Sequence, residues 1–384
     1  MCNNADIKIS VVMPIYNAYD YLRPAMDSVI DQTLRDIEII CIDDGSTDHS
    51  FEIIKEYQKL DERIRIVTEN NAGAGAARNK GLIRARGEYV IFLDADDFYE
   101  PTLLERLYEV AERDRLDIAV VGFDIYNSKH ARFEPSAEEK HGDIYRDGAV
   151  VSKSTHPDAI LQSTTGYIWN KLFRTSFIRE KELLFAPELY VFEDVYFVCT
   201  ALSLAERVGR IYEILVHHRV YSDQSRAKLF KKYYNQVPVV YLRVKDFMTQ
   251  HGMYIPLMRS FLNFSANRCH KIYNLLWSDA KAHFWDMLHD GYGDSLGWYK
   301  HAAEDFEDES DSEFVANIGL YTYEQYEKRE KRGRKVKAEK LLDGEFNKKL
   351  TTKRKNDKLK SFFVRIGRGF LGIFKIFRRK KKDQ

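Results

Sequence analysis

The sequence predicts an α/β fold in which a mainly parallel sheet is covered by helices. Short Ile/Val-rich runs recur along roughly the first 125 residues, runs with helical periodicity separate them, and acidic or glycine-rich turns follow several of them. Ile7 to Met13 (IKISVVM) reads as the first strand, ended by Pro14. Tyr21, Leu22, Met26, Val29 and Ile30 then repeat at helical spacing, which suits Pro24 only near a first turn. Ile37 to Ile42 is a second strand, and Phe51, Ile53, Ile54, Tyr57 and Leu60 mark the helix after it. Ile64 to Val67 is a third strand, followed by a Gly/Ala-rich helix from about Gly75 to Arg86. A fourth strand, Tyr89 to Leu93, precedes a helix from Pro101 to about Arg113, where proline suits the first helical position, and Ile118 to Val121 is a fifth strand.

From about Tyr126 to Pro157 the chain turns polar and irregular, as a surface excursion shaping a substrate site or a disordered insertion would. Periodicity resumes in Gly166 to Phe173, Val191 to Ala205 and Val208 to Val220, which suit completion of the sheet and its covering helices. Residues 1–225 therefore read as one domain, with a first half to 125 and a second from 126. Residues 226–327 read as a helical, aromatic-rich module whose acidic stretch, Glu304 to Glu313, is a solvated loop.

Composition narrows the class. The chain has 384 residues, 44% of them hydrophobic, which is too apolar for a disordered protein, and its 20 Gly and 8 Pro exclude collagen-like sequence. Cys2, Cys41, Cys199 and Cys269 are widely spaced with no zinc-type pattern, which fits a reducing cytosol and small core residues. The run MCNNADIK carries no apolar stretch of signal-peptide length, and no window is apolar enough for a membrane-spanning helix.

Three signals fall just after candidate strands, where open α/β sheets bind ligands. Asp43-Asp44-Gly45-Ser46-Thr47-Asp48 could accept hydrogen bonds from a base or ribose, or simply form a turn that caps the next helix. In the run from Asn70 to Gly81, small residues allow close backbone approach to a ligand and Arg78 offers a cationic fork. Its Gly73/Gly75 pair follows the third strand and has Arg78 where a third glycine belongs, so a nicotinamide-binding reading is disfavoured. Asp94-Ala95-Asp96-Asp97 crowds carboxylates at one strand end, an oxygen-rich set suited to Mg²⁺ or Mn²⁺ shared with substrate phosphates, although a helix-capping turn also accounts for Asp97.

These segments, with Val12-Met13-Pro14-Ile15-Tyr16-Asn17 and Ala77-Arg78-Asn79-Lys80-Gly81, resemble the ordered motifs of family 2 glycosyltransferases, inverting nucleotide-sugar-dependent enzymes of GT-A fold. The resemblance covers roughly residues 7–225 and identifies the first half as the nucleotide-sugar half and the second as the acceptor half. It implies that Asp43 and Asp44 serve the nucleotide, with Asp44 on the base, and that Pro14 and Tyr16 line the pocket. It implies further that Arg78 holds the nucleotide, that Asp96 ligates Mn²⁺ or Mg²⁺, and that Asp94 lies near the ribose and the metal. Ala18 departs from the pattern, since many relatives carry an acidic residue there.

Trp169-Asn170-Lys171-Leu172-Phe173 and Phe192-Glu193-Asp194-Val195 resemble the family's second-half motifs. By that resemblance Asp194 is the base that takes the acceptor hydroxyl proton, Glu193 orients the acceptor or Asp194, and Trp169 and Lys171 serve the acceptor. Trp169 is either a sugar platform or a core residue. Arg219 is placed to face the leaving diphosphate, and His217 or His218 either completes the metal shell or is an ordinary strand-end histidine.

The formal net charge of +1 hides an asymmetry. Residues 328–384 hold 23 Lys and Arg against 6 Asp and Glu, a local net of +17 that leaves −16 for residues 1–327. Within that tail Phe363, Ile366, Phe370, Ile373, Phe374 and Phe377 share one helical face, opposite Arg365, Arg368, Lys375 and Arg379. This is the pattern of an amphipathic helix lying in an anionic membrane surface, which the continuous apolar face favours over a nucleic-acid arm.

The expectation is thus a metal-dependent hexosyl- or N-acetylhexosaminyltransferase using a UDP-sugar and a glycan or lipid-linked acceptor for surface glycan synthesis. It would be peripheral on the cytoplasmic face of the cell membrane. A non-catalytic nucleotide- or glycan-binding protein of the same fold is the rival.

Overall fold

The computed structural model describes residues 7–136, 141–220 and 232–332. The tail residues Phe363, Ile366, Phe370, Ile373, Phe374 and Phe377 lie outside the described residues, as does Cys2. The described residues up to Tyr323 form one compact unit, and 324–332 belong to a second.

The expected alternation is present. In chain order the elements are β1 (Ile9–Ile15), α1 (Tyr19–Ile30), β2 (Ile37–Asp43), α2 (Ser50–Leu60), β3 (Ile64–Thr68), α3 (Ala74–Arg84) and β4 (Tyr89–Phe92). There follow β5 (Phe98–Tyr99), α4 (Leu103–Arg113), β6 (Ile118–Asn127), β7 (Arg132–Pro135), β8 (Lys171–Arg174), α5 (Thr175–Glu180), α6 (Glu193–Leu204) and β9 (Val208–Val220). Among the described residues the strands form one sheet in the order β3-β2-β1-β4-β8-β6-β9-β5, with β7 paired to β6.

Strands β3, β2, β1 and β4 are mutually parallel, while β8 is antiparallel to both β4 and β6. Strand β9 runs parallel to β6, so six strands end at the same edge of the sheet. That edge collects the turns after β1, β2 and β4 and the start of β8. The central strands β1, β2 and β4 are mostly apolar because both faces are covered; β2, for example, is buried at every position.

Several details differ from the sequence reading. Pro14 does not end β1 but lies within it, in register with Ile42 of β2. The carbonyl of Val12 accepts from Leu93 on the β4 side and that of Ile15 from Asp44 on the β2 side, so alternation turns Pro14 toward β4. Pairing with β4 stops at Val12, and the missing N–H deprives no ladder bond. Pro24 sits well inside α1 rather than in its first turn. Helix α4 begins at Leu103, so Pro101 does not take its first position but lies two residues before it.

The polar stretch after Tyr126 is partly ordered into the β6–β7 hairpin, and Tyr145 within it is fully buried, its Oη 2.8 Å from Ser163 Oγ. The aromatic module comprises the helices Gln236–Gln250, Met258–Leu275, Ser278–Met287 and Glu309–Leu320, around buried Phe261, Trp285 and Trp298. Its acidic stretch is not a solvated loop throughout. Asp311 is buried in the last of these helices, where its carboxylate meets His270 Nδ1 and accepts from Asn267, both at 2.7 Å. Cys41, Cys199 and Cys269 are free and buried, as expected.

Candidate active site

The first two turns at the sheet edge brace one another. Asn17 adopts a left-handed backbone (φ 49°), and its Oδ1 accepts from the backbone N–H groups of Thr47 and Asp48, pinning the turn after β2. Gly45 (φ +73°) is required there, because a Cβ would approach Asn71 N to 2.9 Å. Asp48 caps the turn by accepting from Ser50 N and Tyr19 N. Asp43 accepts from Ser46 N at 3.2 Å. Asp44 is buried, and its two oxygens accept from Ala72 N (2.8 Å) and Gly73 N (2.9 Å), which fixes the entry to α3. Pro14 is half-buried and Tyr16 exposed beside these turns.

One face of α3 then reaches across to α6. Gly75, Arg78 and Asn79 share that face at helical spacing. A Cβ on Gly75 would lie 3.3 Å from Glu193 Cγ, so this small residue serves helix packing. Asn79 exchanges two 2.9 Å hydrogen bonds with the backbone of Phe185. The Arg78 fork expected to reach the nucleotide is committed inside the protein. Its Nη1 donates to Glu193 (2.7 Å) and its Nη2 to Asp94 (2.8 Å), so one buried guanidinium ties the end of β4 to the start of α6.

Phe192, immediately before α6, is also left-handed (φ 61°), a strained conformation for a non-glycine residue that aims the Glu193-Asp194 pair. Burial and then the Glu193 carboxylate push Asp194 up to about 7, against the pull of Arg78.

Oxygens of Asp94, Asp96 and Asp97 converge within 4.8 Å. Three hard oxygen donors at this distance fit a small divalent cation, with Asp94 and Asp96 partly accessible and Asp97 buried. Asp97 is keyed into the end of β9. It accepts from Arg219 N (2.8 Å) and lies 3.1 Å from His218 Nδ1, while burial pushes its carboxyl upward. Arg219 Nε donates to the Asp96 carbonyl, and its guanidinium sits over the rings of Tyr21, Phe98 and Tyr126. His217 is a strand-end bridge, since its ring nitrogens meet Asp124 (2.7 Å) and Glu100 (3.0 Å).

Two residues expected at the acceptor face inward instead. Trp169 is 2% exposed and belongs to the core, stacked on both Tyr167 and His218 in a cluster of three mutually contacting rings, so its ring offers no open platform. Lys171 is fully buried and donates to three protein oxygens, out of reach of an acceptor. Sequence reasoning missed the Asn79–Phe185 clasp, the left-handed Phe192 and the Asp97 anchor. The helical spacing of Gly75, Arg78 and Asn79 was the available signal for the first.

Sheet order, acidic turn and likeness to solved structures together define the GT-A nucleotide-diphospho-sugar transferase fold. TarS 1–349 of S. aureus, solved in complex with UDP-GlcNAc, matches with a TM-score of 0.65 at 18% identity, over 85% of this chain and 92% of that one. The Glycosyl transferase family 2 profile matches residues 10–173. The glycosyltransferase EpsH of Bacillus subtilis (strain 168) is 32% identical over 247 residues, 64% of this chain and 70% of EpsH. The uncharacterized glycosyltransferase YibD of Escherichia coli (strain K12) is 30% identical over 282 residues, 70% of this chain and 80% of YibD. The chain belongs to glycosyltransferase family 2.

Proposed function

We propose that the protein transfers a sugar from a UDP-sugar, with inversion, to a glycan or lipid-linked acceptor in surface-glycan synthesis. The observation that carries this reading is the Arg78 bridge, which draws the acidic turn at Asp94 and the Glu193-Asp194 pair to one point of the sheet edge. Donor activation and acceptor deprotonation need that proximity.

Asp194 is the base. With its carboxyl raised to about 7 it is ionised in useful amount at neutral pH yet basic enough to accept the acceptor's proton. Glu193, held by Arg78, orients it. Asp94 and Asp96 would hold Mn²⁺ or Mg²⁺, which supplies positive charge against the diphosphate when bound. Arg219, fixed at the acidic turn, adds a second cation on the leaving-group side. Pro14, Tyr16, Asp43 and Asp44 shape the nucleotide pocket, Asp44 chiefly by holding the loop before α3.

A UDP donor is supported by the TarS likeness, whose solved forms include complexes with UDP and UDP-GlcNAc. An acceptor at the cell surface is in keeping with relatives such as the poly(ribitol-phosphate) beta-glucosyltransferase of Bacillus spizizenii. The basic tail would hold the enzyme on the anionic cytoplasmic face of the membrane.

The test is UDP release from a panel of UDP-sugars with Mn²⁺ and candidate acceptors. One donor should be preferred, and Asp96→Ala should abolish the ion-dependent rate. Unchanged release by Asp96→Ala would overturn the metal assignment.

A further inference from the structure

The Trp169-Asn170-Lys171 run places a buried cation behind the site. Lys171 Nζ donates to the carbonyl oxygens of Thr165 (2.9 Å) and Tyr167 (2.7 Å) and to Asn170 Oδ1 (2.8 Å). All three acceptors are satisfied together only by an ammonium, because a neutral amine has two hydrogens and would turn its lone pair on the third oxygen. Burial pulls Lys171 down to about 7 and the Asp194 carboxylate pulls it back up. The three charge-assisted bonds act in the second direction. Asn170 Nδ2 in turn donates to the Val121 carbonyl, so the strap is anchored on β6.

The strapped loop touches both parts of the site. Gly166 lies so close to α6 that a Cβ there would stand 2.7 Å from Val195 Cγ2 and 3.4 Å from Val195 Cα. Val195 N donates to Asp194 Oδ1 at 2.7 Å. From the same loop Tyr167 stacks on Trp169 (4.7 Å, 16°) and Trp169 on His218 (5.0 Å, 18°), and His218 meets Asp97.

We propose that Lys171 is a positioning residue for transfer: its ammonium straps the 165–170 loop against the start of α6 and sets a fixed positive charge behind Asp194. This rests on the reading of Asp194 as the base. The groups acting on Asp194 are Glu193 on its own helix, Arg78 on α3, Asp94 after β4 and Lys171 on β8. Cys199 of α6 and Tyr241 of the helical module also face it, both kept protonated by burial.

The test uses full-length Lys171→Met, Lys171→Gln and Asp194→Asn, with kcat and donor KM followed against pH. Gln removes the charge and keeps two of the three N–H donors, so it weakens the strap less than Met does and serves where Met fails to fold. Donor KM should stay within about twofold while kcat falls roughly 10- to 100-fold. The acid limb of kcat should move upward by about one pH unit as Asp194 loses a neighbouring cation. A Gln variant with the wild-type limb and kcat, beside an inactive Asp194→Asn, overturns the Lys171 role alone. Full activity in Asp194→Asn overturns the base assignment and this proposal with it.

Discussion

Replacing Arg78 by Met should both loosen the protein and shift its pH dependence. The guanidinium is 5% exposed and bonds two carboxylates at 2.7 and 2.8 Å, from Glu193 and Asp94. Removing the cation leaves both anions facing each other, a change that costs about 3–5 kcal/mol for a fully buried pair. The Glu193 and Asp94 side chains keep 13% and 26% exposure, so water recovers part of this. A loss of about 2–3 kcal/mol follows, which in a domain of this size lowers Tm by roughly 3–5 °C. Arg78→Lys should recover only part of it, because an ammonium lacks the planar fork whose two Nη atoms each take one carboxylate. Since Arg78 also holds Asp194 down, the acid limb of kcat should move to higher pH in Arg78→Met. The assays are thermal melts of the free protein and UDP release across pH. A Tm within about 1 °C of wild type, with an unmoved limb, would refute the bridge.

Asp194→Asn should be more stable than wild type at pH 8 and no different near pH 4. Folding raises this carboxyl to about 7, so the stability it contributes is present at low pH and lost as pH rises through that value; melts at the two pH values check the sign. Trp169→Ala should cost about 3–5 kcal/mol by opening a cavity beside the Tyr167 and His218 rings, read as a lowered Tm, with Trp169→Phe milder. Phe192→Gly should relieve its left-handed strain by about 1 kcal/mol yet lower kcat, since α6 then loses its fixed entry angle. Truncation after Glu327 should abolish flotation with anionic liposomes while UDP release continues.

The sheet was legible because apolar runs of strand length punctuated by acidic turns have few other uses, and the parallel order then set Asp44, Arg78 and Asp94 at one edge. Partners from distant segments were not legible. Nothing local to Arg78 shows that its fork is taken by Glu193, nothing near Asp311 shows that His270 buries it, and Lys171 reads as an acceptor-orienting cation until Thr165 and Tyr167 are seen to wrap it. Pro14 misled for the same reason, since its tolerance inside β1 depends on where β4 stops pairing. Residue type announces a chemical capacity, and the fold decides whether that capacity is spent on substrate or on the protein.

The most direct measurement is NMR of the product formed from the preferred α-linked UDP-sugar, run with wild type and Asp194→Asn. Wild type should give a β-linked product, and Asp194→Asn should bind the donor without transfer. An α-linked product, or undiminished transfer by Asp194→Asn, would contradict this mechanism.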